Sequence, residues 1–407
     1  MKKKLTTGLT AMNKTDFSIF KSQPDLIYLD GAASAQKPDV VLSTMQDFYM
    51  TTYANVHRGA YELSERATLL YEEARQTVAD FIHARPNDII FVRGATEGIN
   101  LIAQTYGQTL KSGDEIILSE AEHHSNLVPW QMLAAKNGVK ILFARVDESG
   151  LLDIEHFESL LSNKTKLVAM TQMSNVLGTV FPVKDVVKKA HAVGAKVLID
   201  GCQAIVHMEV DVADLDCDFY AFSGHKIYGP TGIGVLYARQ ELMNELYPWQ
   251  GGGDMVKTVS YDDVIFAQTP ARFEAGTPAF TEAIGLMSAL KYLSSIGRDR
   301  ICQHEKELSD YLMKRLSEFD WIVPLGDVSK KNGLVCFNIK GCHPQDVAMV
   351  LDRLHIAVRV GHHCAEPITK KYGVSSSIRA SIGLYNEQKD IDAFIDGLVK
   401  AYNMLGM

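Results

Sequence analysis

The stretch AKVLIDGCQAIVHMEVDVADLDCDFYAFSGHKIYGPTGIGVLYA, residues 195–238, decides the fold. It contains three short apolar runs: AKVLIDG (195–201), DFYAFSG (218–224) and GVLYA (234–238). They are too short and too continuously apolar for amphipathic helices, so they read as strands buried on both faces. Towards the N-terminus the same pattern recurs in DIIFVRG (88–94), DEIILSE (114–120), VKILFARV (139–146) and TKLVAMTQ (165–172). Helical patterns lie between the runs, at Glu97–Tyr106, Leu127–Asn137 and Val183–Val193. That alternation predicts an α/β fold, a mostly parallel sheet with helices on both faces.

The alternation ends near residue 245, where a Gly/Pro/Tyr-rich passage, PWQGGGDMVKTVSYDD (248–263), follows. A long helical pattern then runs from Thr281 to about Phe319, broken near Gly297. The remaining elements are GLVCFNIKG (333–341), a helix from Pro344 to about Leu354, then IAVRV and SIRASIGLY, and they read as a smaller α+β unit. The expected organisation is a large α/β domain over 26–290 and a small C-terminal domain over 291–407, joined by the N-terminal segment 1–25.

Composition narrows the function classes. The 407 residues are 46% apolar and 22% charged, an ordinary globular balance. Lys plus Arg is 41 and Asp plus Glu is 49, a net charge of −8, which argues against a nucleic-acid partner. No apolar stretch approaches a membrane span, and LTTGLTAMNKTD (5–16) is too polar for a signal-peptide core. The six cysteines, Cys202, Cys217, Cys302, Cys336, Cys342 and Cys364, are scattered without a CxxC pair. Neither a disulfide framework nor a zinc site is indicated, and the expectation is a cytoplasmic protein with free thiols.

Parallel sheets bind ligands at the carboxyl ends of their strands. Asp200 ends one predicted strand, with Gln203 three residues on, and Ser223, His225 and Lys226 follow the next. Gly94 turns a third strand into a helix that begins near Thr96, a geometry suited to anions. His123 and His124 follow a fourth, and Asn175 a fifth. Each has an ordinary explanation alone: Asp200 and Thr96 as helix caps, Lys226 as a surface lysine, the histidines as structural ones. GPTGIG (229–234) lacks the GxGxxG spacing and leads into a strand, so it is not a nucleotide loop. Taken together, an amine, a carboxylate and an anion cradle at neighbouring strand ends make the donor set of a pyridoxal phosphate site.

With those residues in place, the chain resembles the fold-type I pyridoxal phosphate enzymes of the class V aminotransferase group. Asp200-x-x-Gln203 and Ser223-Gly-His225-Lys226 carry that resemblance. RVGHHCAEPI (359–368) is similar to the active-cysteine loop of the SufS/CsdA-type (group II) cysteine desulfurases. LDGAASAQKP (29–38), NVHRGAYELS (55–64), ATEGIN, HHSNLVPW, SNVLGT, FEAGTP and IRASIGLYN resemble the same enzymes, so the likeness spans about residues 20–405.

The resemblance implies that Lys226 carries the cofactor covalently, Asp200 pairs with its ring nitrogen and Gln203 with its phenolic oxygen. It implies that His123 stacks on the ring and shuttles a proton, while Thr96, Ser223 and His225 bind the phosphate. Thr277, in FEAGTP, resembles the residue that completes a neighbouring subunit's phosphate site, which implies a homodimer. Asn175 and Arg379 would hold the substrate carboxylate, with Arg359 as a helper. Cys364 is the implied sulfur acceptor, and a metal at His362-His363-Cys364 is disfavoured because consecutive ligands do not match structural zinc spacing. The implied reaction converts L-cysteine to L-alanine and a Cys364 persulfide, with L-selenocysteine as a second substrate. A sulfur-acceptor protein of SufE or SufU type would carry the sulfur to iron–sulfur cluster assembly. The alternatives on this fold are an aminotransferase and a dedicated selenocysteine lyase.

Overall fold

The computed structural model describes residue 12 and residues 14–406. Its centre is a seven-stranded sheet of β1 (Ile89–Val92), β2 (Glu115–Ser119), β3 (Lys140–Ala144), β4 (Thr165–Thr171), β5 (Lys196–Asp200), β6 (Phe219–Ser223) and β7 (Gly234–Ala238). The order across the sheet is β1-β7-β6-β5-β4-β2-β3. Only β7 runs against its neighbours, pairing antiparallel with both β1 and β6. Each predicted run is a strand. β1, β6 and β7 are buried along their whole length, which is why their sequences do not alternate.

Two apolar cores flank this sheet. On one side the helices Ala95–Gln104 and Val128–Asn137 pack down, with Trp130 fully buried. The other side is covered by the helices Glu62–Phe81, Val183–Ala192 and Phe280–Ile296. The break expected near Gly297 is real: at φ +97° that glycine separates Phe280–Ile296 from the helix Arg298–Leu316. Gly201, just past β5, is a close approach of another kind. A Cβ there would lie 2.0 Å from the buried Tyr220 ring.

A third core holds the C-terminal elements, a four-stranded antiparallel sheet in the order Ile322–Pro324, Leu334–Ile339, Ser377–Ser381, Arg359–Gly361. The short strand Ile27–Tyr28 pairs in parallel with Ile356–Ala357 beside it. The Gly/Pro/Tyr-rich passage contains an exposed hairpin, Val256–Val259 with Val264–Phe266, that no hydrophobic alternation announced.

Candidate active site

The site forms where the carboxyl ends of β2, β4, β5 and β6 meet the C-terminal sheet. Thr96, His123, Asn175, Asp200, Gln203, Ser223, His225, Lys226, Arg359, Cys364 and Arg379 all line one cavity. Strand pairing places Asp200 beside Thr171 and Ala221, so the ends of β4, β5 and β6 stand side by side.

Asp200 is buried, and its Oδ1 accepts the Cys202 backbone N–H at 3.0 Å. A carboxylate held there needs a positive or hydrogen-bonding partner inside the cavity. Gln203 donates from Nε2 to the Ala32 carbonyl at 3.0 Å, while its buried Oε1 has no partner. A polar atom left unpaired at that depth marks a group that awaits a ligand. Ser223 Oγ accepts the Ala95 N–H at 2.9 Å, pinning the start of the helix Ala95–Gln104. Thr96 Oγ1 and Ser125 Oγ lie 2.7 Å apart beside it. His225 and Lys226 ride a single 3-10 turn, Gly224–Lys226, after β6. The His225 carbonyl is clamped by Lys37 Nζ at 2.9 Å and the Ala35 N–H at 3.0 Å.

The histidines of the cavity are neutral. Burial, then the positive charge of Lys226, pushes His123 down to about 4. His225 is held at about 4 by burial, then by Lys226 and Lys37. His123 Nδ1 accepts the Ser125 N–H at 3.0 Å, so its proton resides on Nε2. Beneath it, Glu122 is pushed up to about 7 by burial and receives Ser119, Asn126 and the Thr171 N–H.

Of the remaining lining residues, Arg359 and Arg379 come from the C-terminal sheet and Cys364 from the loop that follows its edge strand. Arg379 is buried; its Nη1 donates to the Asn175 carbonyl at 3.0 Å, and its Nε is unpaired. Burial lowers its pKa. Asp30 joins both arginines: Arg359 Nη2 donates to it at 2.9 Å, and Arg379 Nη2 stands 3.5 Å away. Cys364 is the exposed member of the six cysteines, all of which are free. Cys202 also faces the cavity, but burial pushes its thiol up to about 12, which makes it inert.

Thr277 stands apart. It lines a different cavity with Arg93, Glu97 and Trp249. Asp30, Glu122 and His124 do not line the cavity but bond residues that do: Asp30 the two arginines, Glu122 the Thr171 N–H and His124 the Cys364 carbonyl; of these only His124 is picked out by its place at a strand end. Asp30 and His124 lie inside the quoted motifs LDGAASAQKP and HHSNLVPW, and Glu122 directly precedes the second; that adjacency was the available signal.

Residues 27–394 match the aminotransferase class-V family. The chain is 49% identical over 400 residues to the cysteine desulfurase of Dickeya dadantii, covering 97% of each. The chain belongs to the class-V aminotransferase family, in its cysteine desulfurase branch. The apo cysteine desulfurase of Thermococcus onnurineus superposes with a TM-score of 0.92 at 40% identity, over 97% of this chain and 98% of that one. The Escherichia coli cysteine desulfurase CsdA, in its S-sulfonic acid form, gives 0.89 at 38% identity over 96% and 98%. The cofactor of this enzyme is pyridoxal phosphate, and the donor set fits it: an amine, a buried carboxylate, an unpaired buried amide oxygen and a helix start.

Proposed function

We propose that the enzyme takes the sulfur of L-cysteine, releases L-alanine and leaves the sulfur on Cys364 as a persulfide. One observation carries this reading: the exposed cysteine opens onto the cavity that also holds Lys226 and Asp200. Pyridoxal phosphate, when bound, supplies the sink for the electrons released at the substrate. Lys226 would carry it, Asp200 would hold its ring nitrogen protonated, Gln203 would face its phenolic oxygen, and Thr96, Ser223 and His225 would take its phosphate.

The chain's own residues do the rest. Arg379 and Asn175 hold the substrate carboxylate, with Arg359 kept close by Asp30. Lys226 removes the proton from the substrate Cα. Cys364 Sγ, as thiolate, forms an S–S bond with the substrate sulfur while that sulfur's bond to Cβ breaks. The Cβ then takes a proton to become a methyl group, Lys226 returns a proton to Cα, and L-alanine leaves. Neutral His123 holds a transferable proton on Nε2 for this exchange. Selenocysteine is a second substrate in this scheme, because a weaker carbon–selenium bond demands less of the thiol.

A homodimer follows from Thr277, whose separation from the cavity suits a residue that serves a second copy. The persulfide passes to an acceptor protein of SufE or SufU type and on to iron–sulfur cluster assembly. We place the enzyme in the cytoplasm, where unpaired thiols persist. Among the described residues no helix is long and apolar enough to cross a membrane. The test is incubation with L-cysteine under reductant-free conditions, with alanine quantified and the Cys364 peptide weighed. One sulfur added per site, with matching alanine, supports the reading. Pyruvate or keto-acid-dependent turnover without that adduct points to another chemistry.

A further inference from the structure

Cys364 sits on a loop between the strand Arg359–Gly361 and the helix Glu366–Lys371. Two successive non-glycine residues there are left-handed: His363 at φ +53° and Cys364 at φ +55°. Such residues persist only where their surroundings over-determine them. Before the thiol, the supports are Asn175 Nδ2, which donates to the His363 carbonyl at 2.7 Å, and Ser377 Oγ, 3.0 Å from His363 Nε2. At and after the thiol, the Ala365 N–H donates to the His362 carbonyl at 2.9 Å within the loop, and the support from outside the loop comes from His124. The His124 backbone N–H donates to the Cys364 carbonyl at 2.6 Å. The His124 Nε2 accepts the Glu366 backbone N–H at 3.1 Å. Its ring also packs on His362, with centroids 5.6 Å apart. The helix Glu366–Lys371 starts at Ala365, which has no capping side chain, so the imidazole of His124 supplies its cap.

We propose that His124 is a positioning residue for Cys364, a latch whose neutral imidazole holds the thiol loop and whose protonation releases it. This rests on the reading of Cys364 as sulfur acceptor. An imidazole that accepts at Nε2 carries its proton on Nδ1; protonated, it has no lone pair to offer and turns an N–H towards the Glu366 N–H. The groups facing it are His362 and the Glu366 carboxylate on the cysteine loop and its helix, Lys370 paired to Glu366, and His123 on its own turn. Burial first, then His362, lowers its pKa, and Glu366 opposes that shift. The sign follows. The latched loop prefers the neutral ring, so latching is complete above the ordinary histidine value of about 6.5 and is lost progressively as pH falls below it.

The test is hydrogen exchange of residues 359–372 in the cofactor-loaded enzyme, expressed as protection relative to the unfolded peptide. Native enzyme, His124→Leu and His124→Gln are compared at pH 7.5 and pH 5. His124→Leu should lower protection of the Glu366 amide by about tenfold at pH 7.5, the effect of one lost hydrogen bond. His124→Gln, which offers an acceptor oxygen on a side chain of similar reach, should restore most of it. Native protection should fall between pH 7.5 and pH 5, whereas His124→Leu should not change. Unchanged protection in His124→Leu, or a native loop indifferent to pH, overturns the proposal. If His124→Leu does not fold, the glutamine variant and the native pH comparison decide. Persulfide formation is measured alongside, and in His124→Leu it should slow by about tenfold with cysteine binding intact. A native enzyme that forms no persulfide would defeat the sulfur-acceptor reading, while exchange alone still judges the latch.

Discussion

Replacing Glu274 by Gln removes the charge from the most enclosed ion pair near the loop that carries Thr277. Arg75 and Glu274 are both almost fully buried and meet through two hydrogen bonds, Nη1 to Oε1 at 2.7 Å and Nη2 to Oε2 at 2.9 Å. The same carboxylate accepts the Tyr71 hydroxyl at 2.9 Å and the Phe91 N–H of β1 at 2.7 Å. Breaking a buried pair from one side costs about 3–5 kcal/mol, because the remaining charge stays buried. A glutamine keeps one acceptor for the Phe91 N–H, and half-exposed Glu72 still reaches Arg75 Nε at 3.0 Å. Both offsets place Glu274→Gln at the low end, about 3 kcal/mol. For a chain of this size that corresponds to roughly 3–6 °C in the melting temperature. Glu72→Gln is the control, and at a more exposed contact it should cost below about 1 kcal/mol. Calorimetry of both variants at one protein concentration gives the comparison. Equal shifts in the two variants, or none in Glu274→Gln, would refute the claim that enclosure makes this pair matter.

Gly201→Ala should destabilise by about 2–3 kcal/mol and weaken cofactor binding, because its methyl would collide with Tyr220 directly behind Asp200; chemical denaturation and cofactor titration measure the two effects. His123, His225 and His363, held at about 4, about 4 and about 3, all favour the neutral ring in the folded chain. The folded state therefore binds fewer protons, and the apoenzyme should lose stability progressively as pH falls from about 6.5 towards 4. His363→Asn should flatten part of that slope in a pH series of melting curves. Mixing Lys226→Ala subunits with Thr277→Ala subunits should recover activity through hybrids with one complete site, and a fully active monomer at assay concentration would contradict the shared-site arrangement.

The central sheet was legible because its strands are buried on both faces and so read as uninterrupted apolar runs. The direction of β7 was not, since an apolar run looks the same in either sense. The helices Asp39–Thr51 and Glu62–Phe81 precede the first strand, where no strand–helix alternation marks them. Strand ends located Asp200, Ser223 and Lys226, and the resemblance added Arg379 and Cys364. Strand-end reading reaches His124 as a position but not its role, and it does not reach Asp30, for one physical reason. Their partners lie 329 and 242 residues away, and nothing local in the chain reports a contact made only by the fold.

The central claim is that sulfur leaves cysteine by transfer to Cys364. The measurement is alanine release from L-cysteine by the cofactor-loaded Cys364→Ser enzyme, with the loop peptide weighed for an added sulfur. The other residues lining the cavity remain in that variant, so it should stay yellow and still bind cysteine, while persulfide vanishes and alanine release collapses. Release of alanine from cysteine at the native rate would contradict the account and return Cys364 to the status of an exposed loop thiol.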